Sequence, residues 1–266
     1  ALKQSFVVEN RPGAGAVIGT DAVAKSPADG YTLLMMSNTH TTNESLLPNR
    51  PYQLMRDFTA VAPVNASDLV MVVHPSVEAK TLAEFIALAK QKPGALNYAS
   101  SGPGTPYHMA GELFKALTGT NIVHVPYKGS TGARNDIVGG HVQMMFDAVT
   151  TMSEPAKAGQ VRALATSGRV RTSVLPDVPT LHEAGVAGYD ATIWLGLMAP
   201  AATPKPVVEL LNREVNKVLS RPEVKTAWAA QGAAPMIMSP AEFDAYARKD
   251  IEKWAEVVRI TGAKAQ

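Results

Sequence analysis

The run Leu96-Asn97-Tyr98-Ala99-Ser100-Ser101-Gly102-Pro103-Gly104-Thr105-Pro106-Tyr107-His108 decides the fold class. Leu96 to Ala99 reads as a short strand, and Tyr107 to Leu117 has helical spacing that Gly119 ends. A strand, a Gly-containing loop and a helix in so short a span form the repeating unit of a parallel sheet covered by helices. Ligands of such sheets sit at the carboxyl ends of strands, where loops meet helix N-termini.

The same unit recurs outward in both directions. Downstream, Ile122 to Val125, Val142 to Phe146 and Val161 to Thr166 read as strands, Gly132 to Val138 as a helix, and Thr180 to Ala184 as a short helix before Gly185. Upstream, Thr81 to Lys92 is a helix with Thr81 as N-cap and Glu84 three residues on, and Leu69 to Val73 is the strand before it. Tyr31 to Met36 and Phe6-Val7-Val8 read as earlier strands, with a helix from about Ala16 to Lys25 between them. Ala191 to Met198 is apolar and extended. Beyond Pro200, the segments Pro204 to Leu219, Pro222 to Gln231 and Pro240 to Ile260 are helices opened by proline near the first position.

This order predicts an α/β protein of two lobes with parallel-rich sheets flanked by helices, the C-terminal helices packing on the first lobe. Lobe 1 is expected over 1–98 plus 195–266 and lobe 2 over 99–194. The double crossing near Tyr98 and Trp194 is a natural hinge.

Composition narrows the function. With 46% hydrophobic and 18% charged residues the chain can bury a core, and its 19 prolines and 20 glycines are spread as turns. The net charge of +2, without a basic stripe, argues against nucleic acid as a partner. The absence of cysteine excludes disulfides, thiol catalysis and thiolate metal sites. No run of about 18 apolar residues could span a bilayer. No charged leader followed by an apolar block opens the sequence, so any signal peptide is expected to have been removed.

Two loops share one chemistry. Ser100-Ser101-Gly102-Pro103-Gly104-Thr105 lets backbone approach a ligand and offers hydroxyls and helix-start amides to an anion; the plain alternative is an N-cap and a turn. Tyr127-Lys128-Gly129-Ser130-Thr131-Gly132 repeats the arrangement one strand later and adds a cation, whose plain alternative is a solvated loop-tip lysine. Ser37-Asn38-Thr39-His40-Thr41-Thr42-Asn43 is dense in uncharged hydrogen-bonding groups, and could orient a carboxylate or cap a helix. Asp147, at a strand end, could hold a ligand amine or hydroxyl or cap the next helix. Trp194 could floor a pocket, with a core tryptophan as the default. Gly13-Ala14-Gly15-Ala16-Val17-Ile18-Gly19 is a poor dinucleotide fingerprint, because the next strand ends in Ser37-Asn38 rather than an acid. No nucleophile elbow, zinc-protease motif or P-loop occurs, and His108 with Glu112 makes only two of the ligands a metal site needs. No cofactor is expected.

The segments Val8-Glu9-Asn10-Arg11-Pro12-Gly13-Ala14-Gly15, Asp29-Gly30-Tyr31-Thr32-Leu33-Leu34, Tyr98-Ala99-Ser100-Ser101-Gly102 and Val125-Pro126-Tyr127-Lys128-Gly129 occur in this order. Leu175-Pro176-Asp177-Val178-Pro179-Thr180 and Trp194-Leu195-Gly196-Leu197-Met198-Ala199-Pro200 follow. Together they resemble the Bug-type receptors of tripartite tricarboxylate transporters. The family's usual opening strand, Pro-Pro-Gly-Gly-type loop and helix do not precede Ala1. The resemblance implies a two-lobed periplasmic-binding-protein-like (Venus flytrap) fold and a periplasmic, non-enzymatic protein; a monomer is the default expectation for a receptor that must dock and release. It would capture a small carboxylate and deliver it to the integral-membrane permease subunits of the transporter. By position, it implies ligand contacts from Ser37, Asn38 and Thr39 in the first lobe. In the second lobe it implies Ser101, Gly102, Thr105, Tyr127, Lys128, Gly129 and Asp147. The alternatives are an enzyme acting on a small carboxylate, motivated by His108, Glu112 and Asp147, and a ligand-dependent sensor protein.

Overall fold

The computed structural model describes Leu2 and residues 4–265; Ala1, Lys3 and Gln266, at the outer ends of the expected first lobe, lie outside the described residues. In chain order the elements begin with α1 (Val17–Ala24), β1 (Leu34–Ser37), α2 (Asn38–Leu46), α3 (Leu54–Asp57) and β2 (Phe58–Val73). They continue with α4 (Leu82–Gln91), β3 (Asn97–Ser100), α5 (Pro106–Thr118), β4 (Val123–Pro126), α6 (Ser130–Val138) and β5 (Met144–Ala148). The last are α7 (Val149–Lys157), β6 (Arg162–Thr166), β7 (Thr192–Pro200), α8 (Lys205–Leu219), α9 (Pro222–Ala229), β8 (Ala233–Pro235) and α10 (Pro240–Thr261). Among the described residues no helix is long and apolar enough to cross a membrane.

The chain divides into two compact units. Unit 1 comprises Ala1–Ala66, Trp194–Trp228 and Ala234–Glu256; unit 2 comprises Ser67–Ile193, Ala229–Ala233 and Val257–Gln266.

In unit 1, β1 runs antiparallel to β7 with Leu34 opposite Met198 and Ser37 opposite Leu195. Leu34 and Met36 are buried while Met35 is exposed, as the two-residue period of a strand requires. They join Tyr52, Leu54, Phe58, Trp194, Phe243 and Ala247 in one cluster, and Val208 and Leu211 meet Val61, Ala62 and Ala199 in another. The C-terminal helices α8 and α10 therefore supply core to unit 1. Each Val, Leu, Met or Phe side chain among them contributes roughly 1.5–3 kcal/mol on burial.

In unit 2, β3 lies parallel to both β4 and β5, with Tyr98 opposite His124 on one side and Met144 on the other. The second half of β2 runs antiparallel to β5 and β6. Its residues Leu69 to Val73 are wholly buried, which fits an unbroken apolar run rather than an alternating one. Helix α5 turns Met109, Ala110, Leu113 and Phe114 inward, and Phe114 packs on Phe85 and Phe146 at ring distances of 6.3 and 6.1 Å. Gly111 is the seat of the Tyr98 ring, since a Cβ there would lie 2.4 Å from it.

Several expectations differ from what is found. Phe6-Val7-Val8 forms no strand and its three side chains are exposed. Strand propensity scores the fit to a pleated, half-buried surface, and no partner ladder meets this segment among the described residues. Thr180 to Ala184 makes one turn instead of a helix. Thr180 and Glu183 form a reciprocal cap, but Gly185 at φ 97° stops propagation at once. The first boundary between units falls inside β2, at Ala66–Ser67, whereas Tyr98 is held within unit 2 by strands on both sides. The second falls between Ile193 and Trp194. Helix α7 and the unit 1 half of β2 had no counterpart in the expectation.

Candidate functional site

Parallel alignment of β5, β3 and β4 brings their carboxyl ends to one edge of unit 2; a helix follows each, directly after β5 and through short loops after β3 and β4. The loop after β3 is built on Ser100, whose buried hydroxyl accepts from the Gly102 N–H at 3.1 Å. Gly102 holds φ 121°, and its carbonyl accepts from Thr105 Oγ1 at 2.7 Å. Thr105 then caps α5, with Pro106 supplying the preset φ of the first helical residue. The loop after β4 is tied to the first: Tyr127 N–H donates to the Ser100 carbonyl at 3.0 Å and Gly129 N–H to the Ser101 carbonyl at 3.2 Å. A Cβ on Gly102 would sit 3.2 Å from the Tyr127 carbonyl, so the two loops touch through backbone there.

Ser101, Gly102, Thr105, Tyr127 and Gly129 are thus brought together as one constellation. The amides of Gly102 and Gly129 are already occupied within it, so these glycines shape the loops rather than offer free donors. The Tyr127 hydroxyl donates to Asp136, and burial followed by that bond pushes its pKa up to about 12. Lys128 is exposed at the loop tip. The N-cap residues of α6 and α7, Gly129 and Ala148, make no side-chain cap hydrogen bond, and their own amides are taken by the Ser101 carbonyl and the Asp147 carboxylate.

A support that the sequence did not disclose lies under the loops. His108 and His124 stack at 4.2 Å between ring centres, and Tyr98 stacks on His124 at 4.8 Å. His124 Nε2 meets Ser100 Oγ at 2.7 Å, and His108 Nδ1 accepts from the Gly104 N–H at 3.1 Å. An accepting Nδ1 means a neutral imidazole with its proton on Nε2. Burial, with the neighbouring imidazole next, lowers His124 to about 3, and burial lowers His108 to about 4. Glu112 is bonded to the Tyr98 hydroxyl at 2.6 Å and Lys115 Nζ at 2.7 Å, so it is engaged in this support. Among the described residues no group of three or more His, Asp or Glu side chains is placed to hold a metal.

Asp147, last but one in β5, has its side chain wholly buried. Its oxygens accept from Arg134 Nε at 2.5 Å, Arg134 Nη2 at 3.0 Å, the Ala148 N–H at 2.7 Å and Thr151 Oγ1 at 3.3 Å. The charge presented outward at this strand end is therefore positive, that of Arg134, rather than the carboxylate the sequence pointed to. Tyr107 lies beside the pair; burial and then Asp147 push its hydroxyl pKa up, while Arg134 opposes them.

In unit 1, Ser37 is the N-cap of α2 in a capping box with His40. Asn38 Oδ1 accepts from the Trp194 N–H at 3.0 Å, and Thr41 Oγ1 donates to buried Asp250 at 2.6 Å. Ser37, Asn38 and Thr39 are all at a strand-to-helix junction, and Asn38 and Thr39 are buried. Trp194 is core, edge-on to Phe243 and Tyr246 at 5.6 and 5.4 Å. His124 and Arg134 were missed in the sequence, and Ser100 was read only as part of its loop. For Arg134 the available signal was its place one turn beyond a loop already singled out.

Three comparisons bear on identity. The family model described as "Tripartite tricarboxylate transporter family receptor" matches residues 1–263. Protein BugT of Bordetella pertussis is 41% identical over 266 residues, covering 99% of this chain and 82% of BugT. Among solved structures, R. palustris Rpa4515 with adipate superposes with a TM-score of 0.95 at 33% identity, covering 99% of this chain and 88% of that one. The periplasmic binding protein BugD does so at 0.91 and 31%, covering 98% and 88%. The ordered loops found in unit 2 and a match over nearly the whole length lead to one conclusion: the chain belongs to the tripartite tricarboxylate transporter receptor family.

Proposed function

We propose that this protein is the periplasmic solute-binding receptor of such a transporter, that its ligand is a small carboxylate, and that it hands the ligand unchanged to membrane permease subunits. The observation that carries the reading is the carboxyl edge of β5-β3-β4. Two interlocked loops, two helix starts without side-chain caps and the Lys128 and Arg134 cations gather there. Preorganised amides and fixed positive charge complement a carboxylate without the reorganisation that free side chains would need. The adipate in the similar Rpa4515 structure supports the ligand class. In this reading Ser101, Thr105, Tyr127 and Lys128 border the ligand, with Gly102 and Gly129 setting backbone approach and Asp147 holding Arg134. Ser37, Asn38 and Thr39 form a second candidate junction on unit 1. The receptor acts as a monomer, without cofactor.

Thermal unfolding in the presence of adipate, citrate, glutamate and benzoate tests the proposal. At ligand concentrations near 100 times Kd, stabilisation of roughly 2.7 kcal/mol is expected for at least one of them. An unchanged melting curve with all four acid classes overturns it. Lys128→Ala is expected to raise Kd severalfold for the acid that binds, while stability stays within about 0.5 kcal/mol because the side chain is exposed.

A further inference from the structure

Resting on the receptor reading above, we propose that Arg134 is the specificity-determining residue of this site: braced by Asp147, it takes a second carboxylate of the ligand and so separates dicarboxylates from monocarboxylates.

The argument starts from the fork of the guanidinium. Arginine presents its N–H donors in one rigid plane, and only one edge of that plane, Nε with Nη2, faces Asp147. The opposite edge, built on Nη1, is directed away from Asp147 by the same planarity. The Arg134 side chain is 31% exposed whereas that of Asp147 is 0% exposed, so the pair is enclosed at its acidic end and partly open at its basic end, where Tyr107 also interacts with the guanidinium.

The brace is itself over-determined. Asp147 also accepts from the Ala148 N–H at 2.7 Å and Thr151 Oγ1 at 3.3 Å, which fixes its carboxylate before it fixes Arg134. Tyr107, buried at the start of α5, stands beside both partners. Arg134 itself lies in the second turn of α6, the helix that Gly129 opens, so its place follows from the loop after β4. A long, flexible cation is thereby held on a frame of β5, α5 and α6. That rigidity is what discrimination requires, since a bidentate donor in a fixed plane rewards a carboxylate and penalises a methyl group left against it.

The test compares adipate with hexanoate, two acids of equal chain length that differ in one carboxylate. Arg134→Met alone strands a buried carboxylate, so the principal variant is Arg134→Met combined with Asp147→Asn, whose fold is checked by circular dichroism and melting temperature. Arg134→Lys, which keeps the charge and removes the fork, is its companion. The readout is the ratio of the hexanoate Kd to the adipate Kd by calorimetry. The double variant is expected to lower this ratio at least tenfold, about the scale of one charge-assisted bond, with Arg134→Lys in between. A ratio unchanged in the double variant, including an equal weakening of both acids, overturns the inference and leaves the receptor reading standing. Failure of the unaltered protein to bind any carboxylate overturns the receptor reading first and this inference with it.

Discussion

Gly102 shows how much one residue can decide. Its φ of 121° is strained for any side chain, and its missing Cβ allows the two loops to meet at the Tyr127 carbonyl. Gly102→Ala should cost on the order of 1–3 kcal/mol in backbone strain and weaken carboxylate binding as the loops part. Gly119→Ala is the matched control: φ is 64° and no atom lies within 4 Å of the new Cβ, so urea titration should show a smaller loss and binding should persist. The imidazoles make a second prediction at this scale. His40, about 4 in the fold, and His108 and His124 all lie below the ordinary histidine value of about 6.5. The unfolded chain therefore binds more protons between those limits. Their contribution to stability is complete above about pH 6.5 and is lost as pH falls through the folded values, by on the order of 3 kcal/mol for His40 alone. Urea unfolding followed from neutral to acidic pH should show this fall, with a shallower slope in His40→Gln; identical slopes would rule the assignment out.

Elements were the most legible part of the sequence. The helix from Thr81 was visible because Ser/Thr and Glu three residues apart announce a reciprocal cap, and both bonds are present in the fold. Thr81→Ala should destabilise by about 1 kcal/mol, a loss readable as a lower denaturation midpoint with unchanged cooperativity. The strands β3, β4 and β5 were legible through apolar runs bounded by Gly and Pro. What stayed hidden depended on partners distant in sequence. Helix α2 was read only as a polar segment because its Thr and Asn residues oppose helix propensity; buried bonds to Asp250 and Trp194, far along the chain, override that preference. Of the site, the loops were foreseeable from Gly and hydroxyl spacing. The stacked imidazoles and the Arg134 brace were not, because stacking and ion pairing between α5, β4, α6 and β5 leave no periodic trace.

For the whole molecule, the division into units has a consequence for the order of assembly. Nearly all of unit 2 is one uninterrupted run, Ser67–Ile193, whereas unit 1 needs Trp194–Trp228 and Ala234–Glu256 to complete the clusters around Phe58, Trp194 and Phe243. A chain emerging from its amino end can close the first of these as soon as residue 193 is free, but the second must wait for segments made last. Pulse-labelling hydrogen exchange during refolding should find amides of β3 and β5 protected before those of β1 and β7; simultaneous protection would contradict this. Until synthesis nears its end, β1 and the first half of β2 remain without the apolar partners that Trp194, Phe243 and Ala247 supply.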